Sequence, residues 1–218
     1  MAGALAELIP LALVIALSPL SIIPGILMLH TPRPRPASLA FLAGWTLGIA
    51  VVTAAFVLAS DLAGGLDRES SAAPYVRIVI GAALIAFGLY RWFTRNRSGH
   101  TPKWLSSMTS LGPGRAFGTA AVLTVVNPKV LLMCAAAGLS IATAGLGVTQ
   151  SWISVAAFTA VAASSVAIPV LAYLVIGERL DEPLNRLKTW MEANHSALVG
   201  VIIVVIGIAV LYKGVHGL

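Results

Sequence analysis

The sequence predicts an all-α integral membrane protein with six transmembrane helices, arranged as two inverted three-helix repeats. Three observations carry that prediction. Of the 218 residues, 58% are hydrophobic and 10% charged, against about 25% charged in a soluble domain. Six continuous apolar segments fit the roughly 20 residues that a bilayer-spanning helix needs, whereas a membrane β-barrel would show short alternating segments. Features of the first three runs also recur in the last three. A unit with an odd number of spans, repeated once, must insert in opposite orientations.

The first span covers residues 5–29. Residues 1–7 hold no Lys or Arg and no small-residue cleavage site closes the run, so it reads as a retained helix rather than a signal peptide. Pro10, Pro19 and Pro24-Gly25 interrupt it, because each interior proline removes a backbone hydrogen bond. A stiff basic turn follows at 31–36, with Arg33 and Arg35. The second span, 37–60, contains Gly44 and Gly48, a small-xxx-small spacing that permits close helix approach. That spacing serves packing within one chain or a homodimer contact, and the sequence leaves both open.

The third span covers 74–93. The loop 94–115 carries Arg95, Arg97, His100, Lys103 and Arg115, interleaved with Trp104, Leu105 and Met108, and is expected to rest on the headgroup region. The fourth span lies within 116–146, too long for one straight crossing, with breaks expected around Pro128, Gly138 and Gly145. The fifth, 152–176, contains Pro169 and Ser164-Ser165, read as polar packing residues. A charged loop, 177–194, leads to the sixth span, 196–212. The resulting organisation is a first repeat at 1–93, a basic cytoplasmic linker at 94–115 and a second repeat at 116–218.

With this layout ten Lys and Arg residues fall on one side and three on the other. The positive-inside rule makes the richer side cytoplasmic and puts both termini outside a multi-pass plasma (inner) membrane protein. The basic residues lie in loops between apolar runs, so the net charge of +6 marks topology and implies no nucleic-acid partner.

The repeat is read from paired features. Ser18-Pro19 answers Asn127-Pro128; Gly81, Gly88 and Tyr90-Arg91 answer Gly200, Gly207 and Tyr212-Lys213. In inverted-repeat transporters the site lies near the midplane, where broken helices meet. The candidate substrate-binding residues are therefore Ser18, Pro19, Pro24, Gly25, Asn127, Pro128 and Lys129. Lys129 is the one charge placed deep in an apolar run, at a cost of roughly 2.5–3.5 kcal/mol on insertion scales. All eight acidic residues lie at span ends or in loops, which leaves Lys129 without a buried counter-ion in its own chain. It is neutral through burial, it snorkels or binds carbonyls, or it meets an anionic group such as phosphate, sulfate or carboxylate on the substrate.

Other chemistry is missing. The chain has no G-x-x-x-x-G-K-[ST] loop, no H-E-x-x-H motif and a single cysteine, Cys134. His30, His100, His195 and His216 sit at span ends or in loops, and no carboxylate pair lies within a span. The expectation is a protein that is not an enzyme and uses no cofactor or metal. If transport is proton-coupled, Lys129 is the main titratable candidate.

Asn127-Pro128-Lys129, the proline-broken first span and the three-plus-three layout resemble the LysE-type exporter superfamily. Its amino-acid exporters usually carry Pro-Gly-Pro in the first helix, where this chain has Pro24-Gly25-Ile26. A closer resemblance is to the GAP family, which includes the sulfolipid-addressing (Sap-like) proteins. It rests on Ala16-Leu17-Ser18-Pro19, Thr31-Pro32-Arg33, Phe41-Leu42-Ala43-Gly44-Trp45, Val126-Asn127-Pro128-Lys129, the 165–169 segment and Ile206-Gly207. The resemblance implies a LysE-like fold and a role in moving glycolipids or related envelope lipids across the plasma membrane. The headgroup would then sit near Ser18, Asn127 and Lys129, the acyl chains would stay in the bilayer through a lateral opening, and Arg33 and Arg35 would gather anionic heads at the cytoplasmic face. The implied partners are membrane lipids, the lipid or glycolipid substrate and, if the chain only assists, a larger lipid-export machine. Small-solute export of the LysE type and a non-transporting accessory role are the alternatives. A groove open sideways to lipid favours the translocator; a closed central pocket favours the solute exporter.

Overall fold

Proline decides where most of these helices begin and, twice, where they break. The computed structural model describes residues 2–65 and 107–193. The expected third and sixth spans, with the paired glycines at 81, 88, 200 and 207, lie outside the described residues. Among the described residues the chain is helical, with no strand.

α1 (Ala2–Ala16) and α2 (Pro19–Met28) share the first apolar run and meet at a bend of 51°. α3 (Pro34–Gly65) follows. A single 3₁₀ turn (Ser107–Ser110) precedes α4 (Pro113–Val126), which meets α5 (Pro128–Thr143) at 71°. α6 (Val148–Ile176) leads through a second 3₁₀ turn (Gly177–Leu180) into α7 (Asp181–Ala193). α3 and α6 are long and apolar enough to cross a membrane, and each bent pair qualifies if it is one broken span, giving up to four crossings. Val148, Ile168 and Val175 of α6 are exposed, as lipid-facing apolar residues should be.

The two breaks have one cause. Ser18 (φ −80°, ψ 122°) and Asn127 (φ −77°, ψ 106°) are both extended, the conformation that a following proline imposes. Pro19 and Pro128 then restart the helix at its first position, where a missing N–H costs nothing. Pro10 and Pro24 were expected to interrupt the first span in the same way and do not: α1 continues through Pro10 and α2 through Pro24, as α6 does through Pro169. Each of those three prolines follows an isoleucine, which has no oxygen to cap a restarted helix.

Four other expectations change. The basic turn at 31–36 is shorter, because Pro34 and Pro36 open α3. Met108 is 1% exposed and belongs to the core rather than resting among headgroups. Gly138 does not break α5, and Gly145 (φ +64°) lies in the turn beyond it. The charged loop at 177–194 is largely helix: Asp181, Glu182 and Pro183 open α7, Leu184 and Met191 are buried on one face, and Arg186 pairs with Glu182 on the exposed one.

The core is built around α3, which packs most extensively against α4 and also against α5 and α6. Small residues set these distances. A Cβ at Gly44 would overlap the Phe117 carbonyl of α4, and one at Gly48 would lie 2.5 Å from Thr124 Oγ1. The Gly44–Gly48 face is thus consumed by packing within the chain. Beside it, Phe41 and Trp45 stack at 6.4 Å in the interior. α1 lies along α6 and α5, and α2 lies against α6 and α7.

Candidate functional site

Because the chain breaks at Ser18 and Asn127, two helix ends that would otherwise be continuous are presented to one space. A cavity of about 720 Å³ lies beside α4. Its described lining includes Leu20 from the first turn of α2, Asn127 and Pro128 from the second break, and Leu111, Arg115, Thr119, Val122 and Val126. The last five recur every three or four residues and so form one stripe of α4 and its approach. Both breaks border this cavity, the first through Leu20, which directly follows Pro19.

Asn127 is held by its own chain. Its backbone N–H donates to the Leu123 carbonyl (3.0 Å), its carbonyl accepts from the Leu131 N–H (3.0 Å), and its side-chain Oδ1 accepts from the Lys129 backbone N–H (3.1 Å), capping α5. That fixes the carboxamide orientation and leaves the NH₂ group with no partner among the described residues. Asn127 is 6% exposed and lines the cavity. The amide is thus an unengaged donor on a residue of the cavity wall.

Lys129 is half-buried at the second position of α5 and is not among the lining residues. Its ammonium has no ion-pair or hydrogen-bond partner among the described residues, and neither α4 nor α5 contains an Asp or Glu. Ser18 is buried, its carbonyl accepting from the N–H groups of Ser21 (2.9 Å) and Ile22 (3.2 Å). Pro24 and Gly25 are buried within α2, where a Cβ at Gly25 would lie 3.1 Å from Val166 Cγ1. They pack α2 on α6 and do not reach the cavity. Arg33 and Arg35 are exposed at the start of α3 and do not line it. Asn127 and Pro128 are the sequence-predicted residues that the cavity gathers.

Arg115 and Thr119 were missed as site residues. Arg115 stands exposed in the first turn of α4, a turn with no acidic residue and an N-cap, Gly112, that offers no side chain. The helix dipole already makes that end positive, so the Arg115 end of the cavity carries two positive features, with no carboxylate in the described lining. The signal was available in the sequence as the period of 111, 115, 119, 122 and 126. It was hidden because Arg115 reads equally well as a topology charge. Elsewhere Ser164 donates to the Val161 carbonyl (2.7 Å), and Cys134 is buried beside Thr53, both packing roles. No metal-binding cluster occurs among the described residues.

A protein-family model described as Sap, sulfolipid-1-addressing protein, matches residues 8–216. No curated protein and no solved structure matches the chain.

Proposed function

The chain belongs to the Sap, sulfolipid-1-addressing protein, family, and from that premise we propose that it is a plasma-membrane transporter moving a glycolipid or another anionic, amphipathic envelope lipid across the inner membrane. The observation that carries the reading is the cavity beside α4. It has polar groups at its two ends, Arg115 at one and Asn127 at the other, and between them a wall that is apolar apart from Thr119. Val122 and Val126 are 58% and 68% exposed, so the wall is accessible to an acyl chain. A groove of that kind suits a molecule with a polar head and a lipid tail better than it suits a small hydrophilic solute.

Depth supports the same reading. α4 has 14 residues, about 20 Å of helix, and a hydrocarbon core is roughly 30 Å thick. With Arg115 at the cytoplasmic surface, Asn127 lies well inside the bilayer. The cavity then leads a headgroup from the basic face toward the midplane, where the Asn127 NH₂ and, after a small rearrangement at the break, the Lys129 ammonium receive it. The negative charge that neutralises Lys129 arrives with the substrate. The six-span, inverted-repeat architecture belongs to this proposal; the extended Ser-Pro and Asn-Pro breaks at 51° and 71° support it. Rocking of one repeat against the other would give alternating access, with both termini outside and without catalytic chemistry or a cofactor.

The test is reconstitution of the purified full chain in phosphatidylcholine vesicles carrying a fluorescent sulfated glycolipid. Transbilayer movement is read by chemical quenching of the outer leaflet. Movement faster than in protein-free vesicles is expected. Movement at the protein-free rate, by protein that still binds the lipid, would refute direct transport in favour of an accessory role. Uptake of labelled amino acids without lipid movement would move the protein to the small-solute exporters.

A further inference from the structure

We infer that Arg115 is the recognition group at the cavity mouth for a tetrahedral oxyanion, a sulfate or phosphate ester on a lipid headgroup, which it passes along the α4 stripe through Thr119 to Asn127. The inference rests on the lipid-transport reading and adds to it the residue that selects the substrate's charge.

Four observations converge on Arg115. It lines the cavity, whereas the equally basic Arg33 and Arg35 do not. It sits in the first turn of a 14-residue helix with no acidic neighbour in that turn, a place where a cation is disfavoured by the helix dipole and helix stability gives no reason for it. It has no ion-pair or hydrogen-bond partner among the described residues. At the other end of the same cavity stands Asn127, 6% exposed and with an NH₂ donor unpartnered among those residues. The cavity therefore offers donors at both ends, and its described lining contains no carboxylate. A guanidinium presents a planar fork of donors that matches two oxygens of a sulfate or phosphate ester at once, and the N-terminal dipole of α4 adds positive potential at the end of the helix that carries it. Thr119, one turn further along the stripe, supplies a hydroxyl between the two ends.

The test uses the purified full chain and sulfated galactosylceramide, with unsulfated galactosylceramide and sodium sulfate as separate arms, read by native mass spectrometry. Arg115→Gln is expected to weaken binding of the sulfated lipid about tenfold or more and to leave the unsulfated lipid unchanged. Arg115→Lys keeps the charge and the membrane orientation but loses the fork, and is expected to fall between the two. Arg179→Gln, at an exposed basic residue outside the cavity lining, is expected to bind like wild type. Wild-type affinity in Arg115→Gln overturns the inference while leaving lipid transport standing, as does an equal loss in the Arg179→Gln variant, which would mark a general surface-charge effect. Sulfate ion bound as tightly as the sulfated lipid would reassign the ligand to a free anion. A wild-type chain that binds neither lipid overturns the transport reading itself.

Discussion

Replacing Asn127 separates its two jobs. Its Oδ1 caps α5 by accepting from the Lys129 N–H, and its NH₂ is proposed to meet the substrate. Serine keeps an oxygen able to cap and removes the NH₂; alanine removes both. Pro128 has no N–H, so the Lys129 amide is the first donor of α5 and the cap is its partner. Losing the cap costs about 1 kcal/mol, rising toward about 3 kcal/mol where water cannot reach the freed amide. Asn127→Ala should therefore lower Tm by several degrees, at roughly 2–4 °C per kcal/mol for a chain of this size. Asn127→Ser should stay within about 0.5 kcal/mol of wild type, because serine and asparagine rank alike as caps. A hydrogen bond to a charged group is worth about 1.5–3 kcal/mol, so both variants should bind a sulfated glycolipid roughly 10- to 150-fold more weakly. The assays are size-exclusion thermostability and native mass spectrometry on the same preparations. A serine variant that binds with wild-type affinity, or an alanine variant as stable as serine, would refute this division of labour.

Lys129→Met should abolish export while expression and Tm stay at wild-type values, measured by vesicle flux; normal export would remove the lysine from the site. Gly118 lines the cavity and a Cβ there meets nothing within 4 Å, so Gly118→Phe should fill the groove and stop lipid movement with a stability change under about 1 kcal/mol. At Gly138 an added Cβ would lie 2.6 Å from Phe56 Cβ and 2.8 Å from the Thr53 carbonyl oxygen. Gly138→Ala should cost about 1–3 kcal/mol in overpacking, only partly offset by about 1 kcal/mol of helix propensity, and a Tm at or above wild type would contradict the close approach of α5 to α3.

The membrane class, the apolar runs and both chain breaks could be read from the sequence, because each rests on a local signal. Pro19 and Pro128 differ from Pro10, Pro24 and Pro169 by the residue in front: Ser18 and Asn127 can cap, Ile9, Ile23 and Ile168 cannot. Counting prolines alone blurred that distinction and grouped Pro24 and Gly25 with the breaks, although both lie inside α2, away from the cavity lining, and Gly25 packs close to Val166. α7 was read as a loop although Leu184 and Met191 stand two turns apart behind an acidic first turn, a pattern too short to outweigh its charge. The cavity was the least legible feature. It depends on which face of α4 is left uncovered once Gly44 and Gly48 of α3 have taken the other, and that is decided by long-range packing.

That packing also bears on how the chain is made. The glycine face of α3 is covered by Phe117 and Thr124 of α4, a helix synthesised well after it. At roughly 5–20 residues per second, several seconds pass between the emergence of the two surfaces from the ribosome. During that interval α3 stands in the bilayer with its most closely fitting side open to lipid or to the insertion machinery. A substitution at Gly44 or Gly48 would then be felt twice, once in the finished protein and once in the yield of correctly inserted chains, and pulse-chase protease protection would register the second effect before any loss of thermal stability could be measured.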